Sequence, residues 1–106
     1  MVESCYVVLV SCPTKRHATR LAEALVTQRV AACVNIVPHV DSRFWWHGKL
    51  DRAQESLLLI KTTARHFERL RKAVLALHPY DVPEVIALPI RRGHRPYLQW
   101  VRKSLR

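Results

Sequence analysis

Two stretches, YVVLV (6–10) and LLLI (57–60), are apolar at every consecutive position. Neighbouring residues of a strand point to opposite faces, so each stretch, read as a strand, needs cover on both sides of its sheet. The chain offers little to provide it. Helical spacing recurs at Ala18, Leu21, Ala22, Leu25 and Val26, and again from about Arg65 to Leu77 through Phe67, Leu70, Val74 and Leu77. Two such helices cover one face. A third helix starting at Pro96, with Tyr97, Leu98, Val101 and Leu105, is too short to cover the other alone. A second subunit is the remaining source of cover, and the chain reads as an obligate oligomer.

The elements follow the order βαββαβ plus the C-terminal helix. CYVVLVSC (5–12) is a strand ended by Pro13, and Thr14 caps the next helix. ACVNIVPHVDSRFWW (32–46) and KLDRAQESLLLIKTT (49–63) are strands about a tight turn at His47-Gly48. A last strand covers Glu84 to Ile90. This order fits a single α+β domain over 1–106, the ferredoxin-like βαββαβ arrangement with a long β-hairpin and a short C-terminal helix. Strands one and three are then central, and strands two and four are edges. The prolines agree: Pro38 and Pro89 fall in the presumed edges, where a missing N–H is tolerated. The hairpin strands are about two to three times the usual 5–6 residues, so a ribbon projects beyond the domain. It carries Phe44, Trp45 and Trp46, and the adjacent tryptophans cannot pack on one core.

The formal charge of +10 raises nucleic acid, anionic lipid or acidic partners, but the 18 Lys and Arg are spread from Lys15 to Arg106 without a block of five. Weak, non-specific polyanion binding is the expectation. Cys5, Cys12 and Cys33 are odd in number and lack CxxC spacing, which places the chain in a reducing cytoplasm. No apolar run approaches the length of a membrane span, and MVESCYVVLVSCPTKR is too acidic at its start to be read as a secretory signal.

RVAACVNIVP (29–38), WWHGKL (45–50), LLLIKTT (57–63), HPYDVPEVIALPI (78–90) and YLQW (97–100) together resemble the CutA family, named for divalent-cation tolerance. The resemblance covers nearly the whole chain. It implies a ferredoxin-like fold, a tight homotrimer shaped like PII signalling proteins, a cytoplasmic or organellar setting, and a link to copper and other divalent metals. Two places depart from the family's usual look: LDRAQ follows the ribbon turn where acidic residues are common, and RRGHRPY has His94 where an asparagine is common.

His78, Tyr80 and Glu84 share a loop stiffened by Pro79 and Pro83. Imidazole and carboxylate suit Cu(II) or Zn(II), so His78 and Glu84 are candidate metal ligands and Tyr80 lines a ligand pocket. The bland alternative is that His78 and Tyr80 close the helix end while Glu84 pairs with a neighbour's cation. Cys12 is a soft ligand candidate for Cu(I), or a structural thiol. Lys61 breaks an apolar strand, either at the sheet's exit or against a carboxylate at a pocket or interface. Asn35, Cys33, Trp45 and Trp46 are assigned to trimer packing. The six histidines show no HxH or HxxxH spacing, so a copper or other divalent site must assemble in space, at a subunit interface, and is not required for folding. No GxSxG, P-loop or HExxH motif supports an enzyme. A binding or scaffold protein of the CutA type is the expectation. The rival is a nucleic-acid-binding ferredoxin-like domain, favoured by charge and opposed by central strands that offer only Tyr6 for stacking.

Overall fold

The computed structural model describes residues 3–106. β1 (Cys5–Cys12) leads into α1 (Lys15–Thr27), whose first turn is closed by the Thr14 hydroxyl accepting the His17 N–H at 3.1 Å. β2 (Cys33–Trp46) and β3 (Lys49–Thr63) form the hairpin. A single 3₁₀ turn at Ala64–His66 precedes α2 (Phe67–Leu77), so the α-helix begins two residues later than its apolar spacing predicts. β4 is short (Ile86–Pro89), and α3 runs over Arg95–Ser104. The sheet order is β2-β3-β1-β4 with every pairing antiparallel. The two proline-bearing strands are indeed the edges.

β4 is shorter than the Glu84–Ile90 expected, because β1 offers it only Tyr6 to Leu9 as partners. Pro38 shares a bulge with His39: Val37 pairs with Leu57 but Val40 pairs with Glu55, and His39 takes φ 61° to accommodate the extra residue. At the tip, His47 (φ 50°) and Gly48 (φ 74°) are both left-handed, the backbone that a two-residue I′ hairpin turn requires.

Alternation divides the sheet. Val8, Val10 and Cys12 of β1 and Leu58, Ile60 and Thr62 of β3 are buried beneath Ala18, Leu21 and Leu25 of α1 and Leu70 and Val74 of α2. Each large side chain buried here contributes about 1.5–3 kcal/mol. Val26 and Leu77, expected on this face, remain substantially exposed at the helix ends. The opposite face presents Val7 and Leu9 against Leu59 and Lys61, with Val37 and Leu57 alongside and Ile86 and Leu88 on the far edge. α3 covers only one end of it, where Cys5, Ala32, Val101 and Leu105 form a second small core. Most of this face stays open: Ile86 and Leu88 are 49% and 51% exposed. The ribbon beyond the bulge helps give a molecule of 46 × 26 × 22 Å.

Candidate functional site, an acidic cleft between ribbon and loop

α2 stops at Leu77 because Pro79 drives His78 into extended backbone (φ −76°, ψ 137°). The chain then folds back against the end of β1. His78 fixes that return with both ring nitrogens. Nε2–H donates to the Ser11 carbonyl at 2.7 Å, and Nδ1 accepts the Tyr80 backbone N–H at 3.1 Å. This pattern defines a neutral Nε2–H tautomer whose lone pair is already engaged. The Tyr80 ring tilts against the imidazole, and its hydroxyl donates to Glu55 Oε2 at 2.9 Å, tying the loop to β3.

Between loop and ribbon lies a cleft of about 810 Å³. One wall is Phe44, Trp46, Asp51 and Glu55 from the ribbon; the other is Tyr80, Asp81 and Glu84 from the loop, with Ser11 between them. Asp51, Glu55, Asp81 and Glu84 are four of the eight carboxylates in a chain of formal charge +10. Arg43, also at the cleft, is bound to Asp41 at 2.6 Å. Desolvation by the walls and then the Glu55 charge push the Glu84 carboxyl above its ordinary range. Burial, and secondarily Glu55, raise the Cys12 thiol to about 11. Burial, followed by its hydrogen bond to Glu55, raises the Tyr80 phenol to about 12. The cleft therefore favours neutral donors and disfavours further negative charge. Cation binding is the chemistry that relieves it.

Of the residues singled out in the sequence, Tyr80 and Glu84 line the cleft, while His78 braces the loop from behind and Cys12, a core thiol, has its Sγ 3.9 Å from His78 Nε2. Trp46 lines the cleft too, while Trp45, its neighbour, turns to the other side of the ribbon and is 76% exposed beside Leu50. Lys61, Asn35 and Cys33 lie instead on the open sheet face. The partly exposed Lys61 ammonium donates to the Asn35 amide oxygen, and no carboxylate among the described residues pairs with it. Cys33 Sγ meets the Tyr97 hydroxyl at 3.6 Å. Asp51, Glu55 and Asp81 were not singled out; the spacing of 51 and 55, even-numbered along one strand and so on one face, was the available signal. Among the described residues, no three His, Cys, Asp or Glu side chains converge closely enough to hold a metal ion.

The family described as CutA1 divalent ion tolerance protein matches residues 6–104. The chain belongs to the CutA family. It is 51% identical to the divalent-cation tolerance protein CutA of Thermus thermophilus, over 92% of this chain and 95% of that one. The chloroplastic CutA 1 of Oryza sativa is 48% identical over 94% of this chain, which spans only 56% of that longer protein. The rice CutA1 crystal structure superposes with a TM-score of 0.96 at 46% identity, covering 98% of this chain and 95% of that one. A CutA from Archaeoglobus fulgidus, described as periplasmic, gives 0.91 at 36% identity, covering 94% and 97%. The four-stranded antiparallel sheet with three helices is thus the CutA architecture. No helix among the described residues is long and apolar enough to cross a membrane.

Proposed function

We propose that this CutA chain is a homotrimeric binding protein, not an enzyme, that takes up copper or another divalent cation in the acidic cleft. The observation carrying this reading is the collection of half the chain's carboxylates in one cleft of a strongly basic protein. Hard and borderline divalent cations take carboxylate oxygen, and Glu84 with Glu55 provides the first donors. His78 orients the loop that carries Glu84; it can enter the coordination shell through Nδ1 only when the Tyr80 N–H is released. Cys12, buried in the core and protonated, stays outside the coordination shell. Donors from a neighbouring subunit complete the site.

The ferredoxin-like arrangement, assembled three at a time in the PII-like manner, gives the open apolar face and the Trp45–Leu50 side of the ribbon the cover that water does not. A cytoplasmic location accords with three unpaired cysteines. The sheet-face mode of RNA recognition draws no support, because Tyr6 turns inward onto Phe67 (ring centroids 6.3 Å apart) and leaves the open face of the central strands without a stacking ring.

Isothermal titration with Cu(II) is the test. About one ion per subunit is expected, with binding weakened by Glu84→Ala and by Glu55→Gln and unaffected by His17→Ala or His66→Ala. Equal losses in all four variants would assign copper to scattered surface histidines and remove the cleft from consideration.

A further inference from the structure

Charge is sorted at a second place, away from the cleft. Residues 91–106 contain six Lys and Arg and no Asp or Glu. The end of α3 meets the end of α1 and the start of α2, and arginines in or flanking these elements converge there. The Arg106 N–H donates to the Arg29 carbonyl at 3.1 Å, and the Arg29 guanidinium donates to the Ser104 carbonyl at 3.2 Å. Arg69 donates to the main-chain oxygen of Arg106 at 2.7 Å, and Arg102 donates to the Glu3 carbonyl at 2.7 Å. The Arg29 and Arg102 contacts end on neutral carbonyls. Glu3 is the carboxylate at this end, and it accepts the Arg65 backbone N–H. The ion pairs among the described residues, Arg43–Asp41 and Arg71–Glu68, lie outside the cluster. Arginine side chains outnumber carboxylate side chains at this end, and Arg29, Arg65, Arg69 and Arg106 are exposed.

An aromatic wall adjoins it. Trp100 lies one turn before Ser104, is 47% exposed, and leans on Tyr97 with ring centroids 5.6 Å apart. With Arg29 and Val26 it lines a recess of about 420 Å³. Arg29 itself holds φ 62°, at a helix end where glycine is the usual occupant. That backbone costs energy for arginine, and the side chain is directed along the α3 terminus as a result.

We propose that this end of the molecule binds single-stranded nucleic acid without sequence preference, seating phosphates on Arg29, Arg65, Arg69 and Arg106 and a base on Trp100. Guanidiniums beside an accessible indole fit a strand whose bases are unstacked. A duplex hides its base faces, and a sulfated polysaccharide has none to offer. The surface is distinct from the acidic cleft, so its test is independent of the cation reading.

The experiment is fluorescence anisotropy of a labelled oligouridylate of about 20 nucleotides across a salt series, using the full chain. Each phosphate contact on a single strand contributes roughly 0.7 to the slope of log affinity against log salt. The exposed triple variant R65Q/R69Q/R106Q should flatten the slope by about 2. The equal-charge control K15Q/R16Q/R20Q, in the first half of a helix roughly 20 Å long, should leave it nearly unchanged. Trp100→Leu should weaken oligouridylate about tenfold and heparin hardly at all. Equal slopes for the two triple variants would overturn the proposal, even if Trp100→Leu fails to fold. Equal losses on heparin and oligouridylate with folded Trp100→Leu would reduce the surface to unspecific charge and overturn it too.

Discussion

Leu59→Asp tests what covers the open sheet face. Leu59 lies mid-face, paired with Leu9 on one side and Asn35 on the other. In a single chain the position is only partly buried, so a carboxylate there costs the monomer on the order of 1 kcal/mol. Against another subunit the account differs. Losing the leucine's burial removes about 2 kcal/mol. Desolvating a polar group without a partner adds at least about 2 more. Three subunits then lose roughly 12 kcal/mol of association, about nine powers of ten in the assembly constant. Light scattering coupled to size exclusion should find wild type near three times 12.3 kDa and Leu59→Asp at 12.3 kDa, with its far-ultraviolet circular dichroism retained. Val26→Asp, on the exposed end of α1, should keep the wild-type mass. A Leu59→Asp protein with unchanged mass and a melting point within a degree or two of wild type would refute the reasoning.

Because the cleft raises the Glu84 carboxyl above its unfolded value, its contribution to stability is present at low pH and declines as pH rises through the raised value. Glu84→Gln should therefore exceed wild type in denaturant midpoint at neutral pH and draw level with it near about pH 4; a constant gap at both would contradict the cause assigned. The Cys12 thiol is raised from 9.0 to about 11, so stability is intact below 9 and is lost as pH climbs between the two values. Cys12→Ala should flatten that alkaline decline in urea titrations, and an unaltered slope would mean that the folded thiol ionises freely. Tyr80→Phe deletes the donor to Glu55 and should cost about 1 kcal/mol. Nitrogen-15 spectra of the imidazoles should show His78 as the Nε2–H tautomer; an Nδ1–H signal would break the loop's assigned bonding.

The edges of the sheet were legible because proline leaves a chemical mark: Pro38 and Pro89 lack the N–H that a central strand would use. The doubly apolar strands likewise announced two faces in need of cover. The ribbon's faces were not legible. Counted from Cys33, strict alternation puts Asn35, Val37 and Trp45 on one side; the extra residue at Pro38–His39 reverses the count. Trp46 and Phe44 thereby reach the cleft, and Trp45 turns away. A bulge is visible only in the pairing register, so no count along the strand could place the tryptophans. The acidic cleft was hidden for a related reason. Asp51 and Glu55 come from the hairpin and Asp81 and Glu84 from a loop, and Tyr80 reaches Glu55 across 25 positions of sequence. The Arg29–Arg106 convergence, across a larger separation still, was visible in composition only as an unlocalised excess of charge.

Lys61 gives the open face a property that its leucines alone would lack. A wholly apolar sheet surface adheres to any exposed hydrophobic strand, including those of unfolded chains. Here an ammonium stands among Val7, Leu59 and Cys33, satisfied by an amide and by no carboxylate among the described residues. A partner that seals this surface without supplying an acceptor strands the charge and loses more than its apolar contacts return. A partner bringing a correctly placed oxygen suffers no such loss. The lysine therefore acts as a gatekeeper, turning a generally adhesive surface into one that admits a matching surface and rejects aggregation.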